Sequence, residues 1–247
     1  KIAQEHRYHN NEKDYIRKIS NCYYNIDYLC ALTTTLKNDY ELFFKKNPHT
    51  KVVLLPNMLT VMPHEKSNLN NKNIITVSRL DYGKRNNEII EAFSKLEDKE
   101  CKLFIIGDGA EYNNLDNLIK DLELEDRVFL LGYKNQDEIK KYMLESCLFL
   151  MASVTEGLPM VLLEAMSYGV PCIAYKTESG VLDIIDDGIN GFVIDNRDSS
   201  KYVEKINLVL SDINLRKKLG KNSSVKAREF YSDNVLKIWE KILRKQL

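Results

Sequence analysis

Short apolar runs alternate with amphipathic stretches along most of the chain. The apolar runs predict strands at 27–33, 51–56, 73–79, 101–107, 127–132, 147–153, 171–175 and 191–194. The stretches between them predict helices at 11–26, 36–46, 84–97, 111–123, 135–145 and 159–168. Strands that are apolar throughout and separated by helices are typical of a parallel sheet covered on both faces. The pattern therefore predicts an α/β fold.

Two regions depart from this alternation. Residues 57–73 are polar and rich in Asn, which predicts a linker and a domain boundary. The last part of the chain is helical, with breaks near Ser211 and Ser232. The final helix carries one apolar stripe, formed by Val235, Ile238, Trp239, Ile242 and Leu243. Such a stripe either touches a membrane surface or docks on the protein's own core, and we favour docking.

Composition narrows the function classes. The 247 residues include 36 Lys plus Arg and 36 Asp plus Glu, so no global positive charge points to nucleic acid. No apolar run approaches the roughly 18 residues of a membrane span. The five cysteines form no C-x-x-C pair and no zinc spacing with His, which favours reduced thiols used as small hydrophobes.

The stretch EGLPMVLLE, residues 156–164, contains an unusual acid. Pro159 suits the first turn of a helix, and the helix that follows is apolar nearly all round. Glu164 lies more than one turn inside it, and its helical neighbours Met160, Val161, Ser167 and Tyr168 include no base. An unpaired carboxylate in such surroundings is costly. Glu164 therefore needs a partner from elsewhere in the chain or a ligand.

Polar and glycine residues follow the predicted strands, where ligands of open parallel sheets bind. In chain order these are Arg79, Lys84, Gly107, Gly109, Gly132, Tyr133, the segment Ser153–Pro159 and Gly180. Arg79 and Lys84 can supply positive charge for a diphosphate, and the helix start after Gly157 offers free N–H groups. Glu156 and Glu164 could bracket a ligand and accept hydrogen bonds from sugar hydroxyls. The two carboxylates and the two cationic side chains together match a nucleotide sugar, which offers a ribose diol, a diphosphate and a second sugar.

Several motifs together, in order over 73–195, resemble the donor-binding half of glycosyltransferase family 4. They are SRLDYGKR, IIGDGAEYNNL, RVFLLGY, ASVTEGLPMVLLEAMSYGVPCIA and DDGINGF, with a Glu-x7-Glu pattern from Glu156 to Glu164. The resemblance implies the C-terminal half of a GT-B fold, which has two Rossmann-like domains facing a cleft. It also implies sugar transfer from a nucleotide-diphosphate sugar with retention of configuration, without a bound metal or other cofactor.

The same resemblance implies roles for individual residues. Arg79 and Lys84 would hold the pyrophosphate and stabilise the leaving nucleotide as charge develops. Glu164 would hold the ribose hydroxyls and Glu156 would contact the donor sugar, so the implied catalytic residues are Arg79, Lys84, Glu156 and the His6 named below. Backbone near Gly132 and Tyr133 would face the base, and N–H groups around Gly157 and Leu158 would meet the distal phosphate or sugar. The donor-binding set is completed by Gly107, Gly109, Ser153 and Pro159. The segment KIAQEHRYHN is similar to the part of the acceptor domain that carries an active-site His, which would be His6.

The resemblance also divides the chain. Residues 1–57 would be a remnant of the acceptor-side domain, 58–72 the linker and 73–231 the nucleotide-sugar-binding domain. Residues 232–247 would form a helix crossing back to the first domain. The implied partners are a nucleotide-sugar donor and a glycan or lipid-linked acceptor used in polysaccharide or glycolipid synthesis. We expect a cytoplasmic protein, with peripheral contact at the inner membrane face left open.

Less specific interpretations stay open for most of these residues. Arg79 could be an exposed strand-end residue, Glu156 a solvated loop acid, and Glu164 half of a buried ion pair. Gly107 and Gly109 could be turn glycines, and His6 an ordinary strand-end residue. Asp186 and Asp187 fit a surface turn better than a metal site. We expect His9, His49 and His64 to face solvent.

Two other functions compete with sugar transfer. The chain could be a non-catalytic nucleotide-sugar-binding module or accessory subunit, or an epimerase or phosphorylase on the same fold. The Glu-x7-Glu set disfavours the epimerase and the phosphorylase. The base, the sugar and the acceptor are not specified by the residues.

Overall fold

The computed structural model describes residues 1–6, 8–10, 12–47 and 49–246, which form two parallel sheets. The first sheet has the order β1-β2-β3, with β1 at Ile2–Glu5, β2 at Tyr28–Ala31 and β3 at Lys51–Leu54. Helices α1 (Lys13–Cys22) and α2 (Thr34–Phe43) connect these strands. Every residue of β2 is buried, because the strand is central and its side chains Tyr-Leu-Cys-Ala are apolar.

The second sheet has six parallel strands in the order β6-β5-β4-β7-β8-β9. The strands are β4 (Asn73–Val77), β5 (Lys102–Ile106), β6 (Val128–Leu130), β7 (Leu148–Met151), β8 (Cys172–Tyr175) and β9 (Gly191–Ile194). The helices of this part are α3 (Asn86–Ser94), α4 (Tyr112–Asp121), α5 (Gln136–Leu144), α6 (Met160–Ser167), α7 (Val181–Ile184), α8 (Ser199–Ser211), α9 (Ile213–Ala227) and α10 (Ser232–Leu243). Three short 3-10 turns lie at Tyr82–Lys84, Asp195–Arg197 and Arg228–Phe230.

Helices cover both faces of this second sheet, as the apolar strands predict. Successive strand residues point to opposite faces. Ile75 and Phe149 therefore pack in the cluster that includes α5 and α6, while Ile74 and Leu148 pack with α3, α4 and α8. The predicted fold class, an α/β parallel sheet with helices on both faces, is confirmed.

The strand order reverses between β4 and β7. The chain builds outward from β4 through β5 to β6, then returns to pair β7 with the other side of β4, with Ile74 opposite Leu148. At such a reversal the loops after the two neighbouring strands diverge to opposite faces, which opens a crevice at their carboxyl ends. The fold thus predicts a ligand site after Val77 and Met151.

The first sheet is joined to the second by side-chain and helix contacts. The Thr33 and Ser179 hydroxyls are 2.7 Å apart, and the Thr34 N–H and hydroxyl donate to Asp183 at 2.9 and 2.6 Å. From the other end of the chain, α10 buries Val235 and Ile242 in a cluster with Tyr28, Cys30 and Leu55. Leu243 is 69% exposed, so the expectation that it belongs to the buried stripe is wrong.

His9 also differs from expectation. Its ring is fully buried, lies 2.8 Å from the Asp39 carboxylate through Nε2, and packs against Tyr8 and Phe43. The polar sequence around His9 suggested a solvent-facing residue, and that expectation is wrong. The partner lies 30 residues away on α2, where only the folded chain brings it close.

Candidate functional site

A pocket of about 310 Å³ opens where β4 and β7 end. Its walls are the segments after these two strands and the start of α6. The lining residues are Thr76, Val77, Ser78, Arg79, Lys84, Asn86, Met151, Ala152, Ser153, Glu156, Leu158, Pro159, Met160 and Val161. Six of the predicted site residues are therefore brought together: Arg79, Lys84, Ser153, Glu156, Leu158 and Pro159.

Lys84 and Glu156 form an ion pair across this pocket. The Lys84 Nζ lies 2.7 Å from Glu156 Oε1, and the side chains are only 22% and 15% exposed. Lys84 ends the 3-10 turn after β4, and Glu156 belongs to the loop after β7. The backbone also joins the two walls, since the Val154 N–H donates to the Gly83 carbonyl at 2.9 Å. Glu156 is thus not the solvated loop acid that one interpretation allowed.

Arg79 lies at the outer edge of the pocket. Its side chain is 83% exposed and pairs with Asp81 at 3.1 Å. Exposed ion pairs of this kind contribute little to stability. The guanidinium is therefore free to change partner at small cost when an anion enters the pocket.

The start of α6 is uncapped and faces the pocket. Pro159 at the N-cap has no N–H and makes no side-chain cap. In the described residues the N–H groups of Met160 and Val161 have no hydrogen-bond acceptor. Unpaired N–H groups at a helix start carry partial positive charge and favour an anion. Charge from Lys84 and from this helix end therefore converges on the same space.

Gly157 is held between two other backbone segments. A Cβ at Gly157 would lie 2.6 Å from the His6 carbonyl oxygen, and a Cβ at Gly180 would lie 2.1 Å from the Gly157 carbonyl oxygen. Gly157 itself does not line the pocket, although both neighbours do. His6 follows β1, is exposed, and sits beside the Glu156–Leu158 loop. The structure therefore brings His6 to the site without placing its ring in the pocket lining.

Glu164 has no cation partner among the residues that the structure describes. It is half-buried in α6, and in the described part of the chain its carboxylate makes no ion pair and accepts no hydrogen bond. Burial alone raises the pKa of the Glu164 carboxyl. The alternative of a buried ion pair within the chain is not what the structure shows, and Glu164 keeps its predicted need for an outside partner.

Glu164 lines a second cavity, of about 550 Å³, rather than the first. The lining residues are Leu59, Thr60, Val61, Pro63, Gln136, Asp137, Ile139, Lys140, Met143, Glu164, Ser167 and Tyr168. The expectation that Glu156 and Glu164 enclose one common space is therefore corrected: each lines its own cavity. The two cavities still follow one helix face, because Glu164 lies one turn (about 5.4 Å) beyond Met160 of the first cavity.

The predicted glycines have different surroundings. A Cβ at Gly107 would lie 1.8 Å from the Ser78 carbonyl oxygen, and a Cβ at Gly109 would lie 2.3 Å from that of Leu80. These two positions thus have a packing reason for glycine, and neither lines the two cavities. Gly132 has a φ of +67° with open space beside it. The next side chain, Tyr133, is exposed at the carboxyl end of β6.

Two residues of the site were missed in the sequence. Asn86 is buried in the pocket lining, donates to Ser78 Oγ at 3.1 Å, and leaves its Oδ1 without a hydrogen-bond partner in the described residues. Arg197 follows β9 and reaches back to the pocket wall. Its position at the carboxyl end of a parallel strand is the sequence signal that could have identified Arg197, since ligands of open parallel sheets bind there.

The described residues show neither a metal-binding cluster nor a membrane-spanning helix. Within residues 1–6, 8–10, 12–47 and 49–246, no three His, Cys, Asp or Glu side chains are arranged to hold a metal ion. Asp186 and Asp187 lie in the turn before β9, where Asp187 accepts from the Val193 N–H at 2.9 Å. No described helix has the length and apolar character needed to cross a membrane.

Comparison with known proteins gives the same family from two directions. Residues 60–226 match the family described as glycosyl transferases group 1. An uncharacterized glycosyltransferase of Haemophilus influenzae is 28% identical over 88% of this chain and 61% of its own length. The N-acetyl-alpha-D-glucosaminyl L-malate synthase of Bacillus anthracis is 32% identical over 69% of this chain and 45% of its own length. The chain thus spans about half the length of these relatives.

A solved structure shows that the likeness extends to the fold. The Anabaena protein HepE, crystallised in complex with UDP-glucose, superposes with a TM-score of 0.83 at 21% identity. The match covers 99% of this chain and 71% of HepE. The matched family region, 60–226, contains the whole second sheet, α6 and every lining residue of the two cavities except Leu59. The chain belongs to the group 1 glycosyl transferases.

Proposed function

We propose that the protein is a retaining glycosyltransferase, of the family 4 type, that uses a nucleotide-diphosphate sugar and a glycan or lipid-linked acceptor. The observation that carries the proposal is Glu164, a half-buried carboxylate without a cation or hydrogen-bond donor in the described residues. A buried carboxylate without partners is costly, and a ligand with hydroxyl donors removes that cost. The ribose diol of a nucleotide supplies two such donors.

The first cavity suits the phosphates. Lys84, Arg79 and the uncapped start of α6 place positive charge around one space of about 310 Å³. When a diphosphate enters, Lys84 can exchange the Glu156 carboxylate for a phosphate oxygen. Glu156 is then released to accept hydrogen bonds from the donor sugar. Stabilising the charge that develops on the leaving diphosphate is the catalytic part of this role.

The remaining contacts extend from these two points. Backbone at Gly132 and Tyr133, the outermost predicted residues on the side of β6, would face the base. Backbone at Gly157 and Leu158 would face the distal phosphate or the sugar, with Ser153 and Pro159 beside them. His6, next to Gly157, would lie on the acceptor side. Because the cations are supplied by the chain, this proposal requires no metal ion.

The comparisons support the donor class. HepE was crystallised with UDP-glucose, and its fold covers nearly all of this chain. The family match includes every lining residue of the two cavities except Leu59. The proposal also places the protein in the cytoplasm, with contact at the inner membrane face when the acceptor is lipid-linked.

The experiment is calorimetric binding of UDP, GDP and ADP to this chain and to Glu164→Gln. We expect one nucleotide to bind, and the Gln variant to bind it about tenfold more weakly, since a hydrogen bond to a charged group contributes about 1.5–3 kcal/mol. The exposed acid Glu204 on α8 provides the matched control, Glu204→Gln. The 2′-deoxy nucleotide tests the ribose contact directly. Removing the 2′-hydroxyl should weaken binding to the parent, but should change binding to Glu164→Gln very little.

Two results would count against the proposal. Absence of binding for all three nucleotides would contradict the donor site. Equal losses on removing the 2′-hydroxyl in parent and Glu164→Gln would contradict the ribose role of Glu164. Nucleotide-sugar binding without any transfer by the full-length protein would instead favour the alternative, a non-catalytic binding module.

A further inference from the structure

Arg197 occupies an unusual backbone conformation at the carboxyl end of β9. Its φ is +49°, and that of Asn196 before it is +55°. Two successive non-glycine residues in the left-handed region are disfavoured because the Cβ approaches the neighbouring carbonyl oxygen. Such a conformation persists where surrounding contacts hold it, and it often marks a functional position.

The side chain of Arg197 connects the two walls of the first cavity. On one wall, its guanidinium donates to the carbonyl oxygens of Ala152 at 2.8 Å and Ser153 at 3.3 Å, directly before the loop that carries Glu156. On the other wall, it pairs at 2.6 Å with Glu88, in the first turn of the helix that follows Lys84. The guanidinium also stacks 4.5 Å above the Tyr175 ring.

From these contacts we infer that Arg197 is a positioning residue, which fixes the spacing between Lys84 and Glu156 and so shapes the phosphate end of the site. This inference rests on the proposed nucleotide-sugar donor. Arg197 is absent from the cavity lining, so it acts through the two walls and not on the ligand. In other binding sites, residues that do not touch the ligand likewise hold the ligand-contacting groups in place.

The physical reason lies in the carbonyl groups it holds. Without Arg197, the Ala152 and Ser153 carbonyls lose their shared donor. Among the described residues, Glu88 then keeps only the weak side-chain contact with Arg85 at 3.9 Å. The Arg197 side chain is 31% exposed, so water can replace these bonds and the fold can survive. The loop then loses its fixed distance from the Lys84 wall, including the bond from Val154 to Gly83.

Arg127 provides a matched control far from the cavity. Its guanidinium also donates to two carbonyl oxygens, of Cys101 at 3.3 Å and Asp98 at 3.0 Å, and stacks 4.7 Å above the Phe93 ring. It precedes β6, at the amino end of the sheet, whereas the cavity lies at the carboxyl end. If removing any arginine with such contacts weakened UDP binding, Arg127→Gln would weaken it as much as a change at Arg197.

The test compares the parent with Arg197→Gly, Arg197→Lys and Arg127→Gln. Glycine removes the guanidinium while relieving the backbone strain, which offsets part of the stability lost with the Arg197 contacts. We expect Arg197→Gly to bind UDP about tenfold more weakly, as loss of fixed geometry costs one to two orders of magnitude at such sites. UMP, which lacks the second phosphate, should keep its affinity within about twofold, and Arg197→Lys should recover part of the loss.

A second readout needs no nucleotide. Hydrogen exchange of the Val154 amide should be about tenfold faster in Arg197→Gly than in the parent, because the loop opens more often, and unchanged in Arg127→Gln. Equal losses for UDP and UMP, or an unchanged Val154 amide, would overturn the positioning role. If the parent binds no nucleotide, the proposed function fails, and the exchange rates alone decide whether Arg197 positions the loop.

Discussion

Lys84 and Glu156, 72 residues apart in the chain, form an ion pair of 2.7 Å across the cavity between β4 and β7. The pair is mostly shielded from solvent, so its charges interact more strongly than an exposed pair. It also means that the cation expected to bind a diphosphate already has a carboxylate partner. A ligand must compete with Glu156 for Lys84, and this competition can be measured by changing one partner at a time.

Changing the two partners should have opposite effects on binding of free UDP. Lys84→Gln removes the cation and should weaken UDP by about tenfold or more, since a charge-assisted hydrogen bond contributes about 1.5–3 kcal/mol. Glu156→Gln frees Lys84 from its partner and should strengthen UDP severalfold. Calorimetry with UDP measures both effects.

Stability provides the control for this comparison. Lys84→Gln leaves Glu156 shielded without a cation and should lower the free energy of unfolding by about 1–2 kcal/mol. A second cation variant, Lys120→Gln, removes an exposed pair with Asp116 on α4 and should change neither stability nor binding appreciably. Weaker UDP binding by Glu156→Gln would show that Glu156 does not compete with the diphosphate for Lys84.

Glu164 should make the stability of the ligand-free protein depend on pH. Burial raises the pKa of this carboxyl above its ordinary value, so the folded state binds the proton more tightly than the unfolded chain. Stability from this group is therefore full below the unfolded pKa and is lost as the pH rises through the raised folded pKa. Glu164→Gln cannot ionise and should escape this loss.

The measurement is thermal unfolding of parent and Glu164→Gln from pH 4 to pH 7. The melting temperature of the variant relative to the parent should rise with pH over this range. Saturating UDP should reduce the difference at pH 7, because the ligand supplies donors to the ionised carboxylate. A difference that stays constant with pH would contradict the unpartnered state of Glu164.

Much of this organisation could be predicted from the sequence, for a physical reason. Buried parallel strands are apolar throughout, so all six strands of the second sheet can be predicted from the sequence. Because ligands bind at the carboxyl ends of such strands, Arg79, Lys84 and Glu156 can be predicted as site residues. Glu164 was found for the opposite reason, as a charge in a helix with no local partner. Both inferences use only neighbours in the chain.

The contacts that join distant segments could not be predicted in this way. Strand order decides that β7 pairs with β4, and only then do Lys84 and Glu156 meet. The Arg197 contacts with Ala152 and Ser153 and the burial of His9 against Asp39 likewise depend on packing. Four residues of the segment 59–63 line the second cavity, and this segment has no periodic pattern that would predict its placement.

Gly180 and Gly188 should respond differently to alanine. Both have positive φ, at +85° and +71°, but a Cβ at Gly180 would lie 2.1 Å from the Gly157 carbonyl oxygen whereas Gly188 has open space. Gly188→Ala should cost about 1–2 kcal/mol from the backbone alone. Gly180→Ala adds a clash with rigid backbone and should cost about 3 kcal/mol or more. Urea unfolding measures both, and equal costs would contradict the close packing of Gly180 on Gly157.

The final helix offers a test of its docking with two adjacent residues. Ile242 is 1% exposed in the cluster with Tyr28 and Cys30, whereas Leu243 is 69% exposed. Ile242→Ala should lower the free energy of unfolding by about 2–5 kcal/mol through lost burial and a cavity, and Leu243→Ala by less than about 0.5 kcal/mol. Trp239, the single tryptophan, packs against the same cluster, so its fluorescence should shift to longer wavelength in Ile242→Ala. If Leu243→Ala instead proved the more damaging change, or if the tryptophan emission were the same in both variants, α10 would not dock on the first sheet through this face.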